Sequence, residues 1–153
     1  MKGKFITIAS LVLTLCFAVS IFVLSGQSAD VSKAHSTVIT ERVDEIVNQG
    51  EGKYSFGQLH HFVRKSAHFL EFMGLGLFAF LTIESWRPKL WRNAARTQIF
   101  AACYAVSDEL HQLYSAGRSC EIRDMLLDSA GAAIGIFIAI AVCLIFRSIK
   151  KPK

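Results

Sequence analysis

The sequence predicts an all-α fold: an integral membrane bundle of four transmembrane helices, with an amphipathic extracytoplasmic segment between the first and the second. Three observations carry that expectation. The chain of 153 residues is 52% hydrophobic and only 19% charged, with a mean hydropathy of +0.39, a balance that suits a bilayer better than a soluble domain of this length. The apolar residues collect in four blocks instead of recurring at the spacing of a soluble core. Lys and Arg gather at the block ends. Membrane topology explains that distribution, whereas nucleic-acid binding would call for a basic stripe interleaved with aromatics. The length fits one domain over 1–153.

Phe5 to Leu24 carries no formal charge and is long enough to cross the hydrocarbon core, so the first span is placed at 5–24. It is read as a retained anchor and not a cleaved signal peptide, because it exceeds a usual signal core and three spans follow. Leu24-Ser25-Gly26 resembles the start of a lipoprotein cleavage box, but Gln27 stands where the lipidated cysteine would be needed. Residues 25–65 form the longest polar stretch and are placed outside. Within it, Val38, Val43, Ile46 and Val47 recur at near-helical spacing. They predict a short amphipathic helix over about 36–49, lying on the membrane surface and stopped by Gly50 and Gly52.

A further helix is expected to begin near Ser55 and feed into the second span, 66–84, where Arg64, His68, Glu71 and Leu75 share one stripe. The next connection holds Arg87, Lys89, Arg92 and Arg96, with Pro88 as a breaker and Trp86 and Trp91 at interface positions. The third span, 97–113, is the least hydrophobic, and Ala116-Gly117 predicts a tight turn after it. The fourth is 124–146, followed by Arg147, Lys150, Lys151 and Lys153. The two ends and the middle connection hold ten of the 17 Lys and Arg. Both termini are therefore expected in the cytoplasm of a multi-pass cell-membrane protein.

This topology gathers polar residues into one layer. His68 and Glu71 open the second span; Asp108, His111 and Gln112 close the third; Asp124 and Asp128 open the fourth, each set within about 10 Å of the outer helix ends. An ionised group facing lipid near mid-bilayer costs about 3 kcal/mol, so such groups turn inward, pair, or line a wet cavity. Asp108, His111 and Gln112 share a face, as do Asp124, Asp128, Gly131 and Gly135, while Glu109 is expected to point elsewhere, toward Gln112 or Arg118. A single buried Asp or His is commonly helix glue. Three helices converging with two His, several carboxylates and two loop Arg favour a site.

Other features read as structural. Gly131-Ala-Ala-Ile-Gly135 suits close helix packing. His60 and His61 are expected to be exposed, and His35 to lie in a loop. Cys16, Cys103 and Cys143 sit in apolar blocks and Cys120 in a polar connection, which indicates neither a disulfide framework nor a thiolate zinc site. No metal ligands are assigned and no cofactor is expected.

The segments RKSAHFLEFMGLG and SDELHQLYSAGRSCEIRDMLLDSAGAAIG together resemble the two signature regions of the VanZ-like membrane proteins, over about residues 60 to 140. The resemblance implies a four-helix integral membrane protein of Gram-positive type, whose namesake is associated with low-level teicoplanin resistance. It also implies functional positions at Arg64, Lys65, His68 and Glu71, then at Asp108, Glu109, His111, Gln112, Arg118 and Asp124. Many relatives have Asn where this chain has Asp128, which adds a negative charge.

Three functions compete. The first is an outward-facing pocket that binds a lipid-linked cell-wall precursor, an anionic headgroup or a lipoglycopeptide. Arg64, Lys65, Arg118 and Arg123 would pair with phosphate, and Lys65, His68, Glu71, Asp108, His111, Gln112, Asp124 and Asp128 would line the pocket. The second is an intramembrane enzyme, with His111 or His68 as general base or metal ligand and Glu71, Asp108 or Glu109 as its carboxylate partner. No GxSxG or HExxH motif accompanies it. Transport ranks last, because the cytoplasmic halves of the spans read as apolar. Nucleic acid is not expected as a partner, and the oligomeric state is not legible.

Overall fold

A computed structural model describes residues 2–49 and 52–149. Among them are five helices and no strand: α1 (Lys2–Ser25), α2 (Ala29–Asn48), α3 (Phe56–Trp86), α4 (Leu90–Gln112) and α5 (Ile122–Ile149). Gly50, named above as a helix stop, lies outside the described residues, as do Lys150, Lys151 and Lys153 of the basic tail.

α3 is the hub, packed against each of the other four helices. Its start follows from a capping box: the Ser55 hydroxyl accepts from the Gln58 amide at 3.3 Å, while the Gln58 side chain accepts from the Ser55 amide at 2.9 Å. A helix running from Ser55 into the span is therefore seen as expected. At 31 residues α3 is about 46 Å long, more than a hydrocarbon core needs, and its first turns carry α2 alongside.

Contacts at the two ends settle the packing directions. Thr7 Oγ1 lies 2.9 Å from Ser85 Oγ, and Arg147 pairs with Glu84, so the start of α1 and the end of α5 meet the end of α3. At the other end, Ser115 Oγ donates to the Gly26 carbonyl at 3.0 Å, and Lys65 pairs with Asp124. Hence α1 and α4 run one way, α3 and α5 the other. The parallel α3/α5 contact is the closest: a Cβ at Gly131 or Gly135 would overlap the carbonyl oxygens of Phe69 and Met73.

α1, α3 and α5 are, among the described residues, the helices long and apolar enough to cross a membrane. They expose large apolar side chains outward, Phe5, Ile8 and Val19 on α1 and Phe137 and Phe146 on α5, each more than half exposed. A soluble protein does not leave so much apolar surface in water, so these helices point to a bilayer environment. The expected count of four apolar spans is met by three. α4 has the length but not the composition. It carries Asn93, Thr97, Asp108, Glu109 and Gln112 buried inside the bundle, where neighbouring helices supply polar partners that lipid would not.

The segment before α3 also differs from expectation. α2 begins at Ala29, not near 36, because Ser28 caps it and Asp30 sits in its first turn. It ends at Gln49, which adopts the left-handed region at φ +42. Asn48 then clamps the return: its Nδ2 donates to the Tyr54 carbonyl at 2.8 Å and its Oδ1 accepts from the Tyr54 amide at 2.9 Å. His60 is not a free surface group either, since its Nε2 lies 2.6 Å from Ser36 Oγ and ties α3 to α2.

Candidate functional site

The helical repeat decides which side chains α3, α4 and α5 turn toward one another at their shared end. Residues three or four apart fall on one face, so Arg64, His68 and Glu71 descend α3, Asp108 and Gln112 close α4, and Asp124 and Asp128 open α5. Asp108, Glu109, Gln112 and Asp128 are each at most 5% exposed. The 113–121 connection turns at Gly117, φ +76, and returns Arg118 to the cluster.

Gln112 is the organiser of the α4 side. Its Nε2 donates to Asp108 Oδ2 at 3.0 Å and to Glu109 Oε1 at 3.2 Å, and its Oε1 accepts from Arg118 Nη1 at 3.2 Å. Glu109 also accepts from the Glu121 amide at 2.9 Å, which pins the connection. Glu109 thus turns toward Gln112, and it lines the polar cavity with Arg64, Lys65, His68, Asp124 and Asp128. Burial and then the facing Arg64 lower the pKa of Arg118, which nonetheless stays a cation.

On the α3 side, Lys65 is consumed by its ion pair with Asp124. Ser20 Oγ of α1 donates to Glu71 Oε1 at 3.2 Å, and Glu71 Oε2 lies 4.0 Å from His68 Nδ1. Arg64 makes no hydrogen bond or ion pair among the described residues, and Arg118, whose Nε is buried without a partner, makes no ion pair there either. His111 takes another direction: its ring stacks on Phe22 with centroids 4.1 Å apart, and its Nδ1 lies 3.4 Å from Ser25 Oγ. Arg123 is exposed and lines neither cavity at this end.

Two spaces adjoin these groups. The polar cavity is ≈ 10 Å³, room for about one water molecule, so a headgroup cannot enter without side chains moving. A larger cleft of ≈ 220 Å³ lies between α1, α2 and α3, with Leu24, Ile39 and Val63 on its apolar wall and Arg64, His68 and Glu71 among its polar lining. Arg64 and His68 border both. One ligand atom each from His68, Asp108 and Asp128 also lie within 4.8 Å of one another, a set able to hold a metal ion.

A family model described as VanZ/LLP1 matches residues 10–147. The chain belongs to the VanZ/LLP1 family. No curated protein and no solved structure matches it.

In this VanZ/LLP1 protein the two resembling segments, separated in sequence by the rest of α3 and most of α4, meet at one end of the bundle. Sequence reasoning missed what α1 adds, namely Ser20 on Glu71, Ser25 beside His111, and the Ala18 carbonyl that accepts from Tyr104 Oη at 2.7 Å. An uncharged run of membrane length offers no signal for these contacts. The opposite end is also not apolar, contrary to expectation. Glu84, 4% exposed, pairs with Arg147 and accepts from Asn93 Nδ2 at 2.6 Å and the Lys89 amide at 3.1 Å.

Proposed function

We propose that this VanZ/LLP1 protein crosses the cell membrane four times with both termini in the cytoplasm. In this reading α4 spans while sheltered by its neighbours, and the polar end is an outward-facing site for the anionic headgroup of an amphiphile, with a lipid-linked cell-wall precursor as the favoured class. Holding such a ligand, or a lipoglycopeptide of similar shape, is the route by which it would contribute to teicoplanin tolerance. The single observation that supports this best is the cleft under α2. It joins an apolar wall at Leu24, Ile39 and Val63 to an unpaired cation, Arg64. Such a shape takes a chain on one side and a phosphate on the other.

Two measurements test this. Protein in nanodiscs is exposed to a photoreactive polyprenyl diphosphate and, separately, to a photoreactive phosphatidylcholine. Labelling of residues around Ile39 and Val63 by the diphosphate is expected to fall at least about tenfold in Arg64→Ala, and to persist in Arg42→Ala, whose side chain is exposed and pairs with Glu45. Equal labelling by both lipids would count against the headgroup site. Topology is read by an impermeant maleimide on intact cells carrying Tyr114→Cys in a Cys120→Ser background, Tyr114 being 90% exposed; no labelling from outside reverses the orientation.

A second reading is an intramembrane enzyme. Of His68, Glu71, Asp108, Glu109 and His111, only His68 and Glu71 border the cleft, so that pair is the one placed to move a proton for a bound lipid. Mass spectrometry of lipids from cells with the wild type and with His68→Gln looks for a product; identical profiles remove the enzyme.

A further inference from the structure

We infer that His68, Asp108 and Asp128 form a binding site for one divalent transition-metal cation, of the Zn²⁺ or Mn²⁺ class. The site does not depend on the headgroup reading. It is built from three helices, α3, α4 and α5, so no spacing along the chain reveals it. One donor atom of each residue lies within 4.8 Å of the others. Donors around a metal with bonds near 2.1 Å stand about 3.4 Å apart, so side-chain adjustments of the order of 1 Å close the set on an ion.

The partners these residues lack are the second observation. Asp108 is 3% exposed and Asp128 2%, yet Asp108 Oδ1 and His68 Nδ1 are buried with no hydrogen-bond partner. Asp128 accepts no hydrogen bond among the described residues. Ser25, which also neighbours Asp108, has its hydroxyl within 3.4 Å of both the Phe22 carbonyl and His111 Nδ1. Buried polar atoms without partners are costly, and these three side chains converge.

Charge points the same way. Glu71, Asp108, Glu109, Asp124 and Asp128 face Arg64, Lys65 and Arg118 across the two adjoining cavities and the triad, five formal negatives against three positives. A divalent cation offsets that excess of negative charge. The ≈ 10 Å³ of free space beside His68 and Asp128 suits an ion or a single water. One imidazole with two carboxylates is a donor set for Zn²⁺ or Mn²⁺; Mg²⁺ and Ca²⁺ prefer all-oxygen sites, and no cysteine joins. Three protein donors leave a coordination position for water or a ligand oxygen.

The test uses full-length protein without a polyhistidine tag, purified in detergent, stripped with chelator and dialysed against Zn²⁺ or Mn²⁺. Elemental analysis is expected to find about one ion per chain, with affinity lowered at least about tenfold in Asp108→Asn and in Asp128→Asn and unchanged in His61→Ala. Binding of less than a tenth of an equivalent overturns the site. Stoichiometric binding unaffected by both Asn variants also overturns it. If those variants do not fold, X-ray absorption of Zn²⁺-loaded wild type decides: one imidazole nitrogen with oxygens supports the site, and two or more imidazoles, or sulfur, reject it.

Discussion

Replacing Lys65 with methionine removes the one cation that is directly paired inside the polar layer, and the structure sets the size of the effect. Lys65 and Asp124 have side chains only 17% and 16% exposed. Breaking a fully buried pair from one side costs about 3–5 kcal/mol, because the partner's charge is left without compensation. Here water still reaches about a sixth of each side chain, which brings the expected loss in Lys65→Met to about 2–3 kcal/mol. The reverse substitution is milder. In Asp124→Asn, Lys65 still faces Glu109, Glu121 and Asp128, so the loss is expected near 1 kcal/mol. The double variant restores the charge difference of the layer and should also lie within about 1 kcal/mol of wild type, a coupling of about 2 kcal/mol. Reversible unfolding by SDS in mixed micelles measures all four corners. Additivity to within about 0.5 kcal/mol, or a greater loss in Asp124→Asn than in Lys65→Met, would refute the reasoning.

Three further outcomes follow from other contacts. Gly135→Val puts side-chain atoms where the Met73 carbonyl lies; α5 must move off α3, with a loss of about 3 kcal/mol in the same unfolding measurement. Glu84→Leu removes the acceptor that Asn93 Nδ2 and the Lys89 amide share, at a cost of about 2 kcal/mol, whereas Arg147→Gln leaves those two hydrogen bonds in place and keeps a donor for Glu84, and should cost about 1 kcal/mol; equal losses would contradict the assignment. Asn48→Ala frees the Tyr54 amide, and hydrogen exchange there should quicken about tenfold, with little change at Leu75 in the buried core.

Periodicity reached some of this site and stopped at a definable point. Asp108 with Gln112, and Arg64 with His68 and Glu71, were legible because residues three and four apart share a helix face regardless of what surrounds the helix. Glu109 was placed off that face, and correctly toward Gln112, but the hydrogen bond to the Glu121 amide depends on how the 113–121 connection closes. His111 has the same spacing to Asp108 as other residues on the face, yet the Phe22 ring captures it. A two-dimensional wheel cannot register that the end of α1 leans against α4. The early start of α2 was readable in principle, since Ser28 followed by Asp30 is a helix-start signal, but the valine spacing drew attention to its second half.

By itself the sequence determined the family, the helical composition, the apolar blocks, and the concentration of polar residues near common helix ends, because these depend on side-chain transfer energies and on 3.6-residue spacing. The tertiary structure decided who pairs with whom. It made α3 the hub, assigned Lys65 to Asp124, left Arg64 unpaired above the cleft, buried Glu84 at the far end, and drew His68, Asp108 and Asp128 from three helices to within 4.8 Å. Those outcomes turn on distances between elements remote in sequence. Such distances are set by how closely glycine faces let helices approach, as where α5 meets α3, and local sequence pattern carries no record of them.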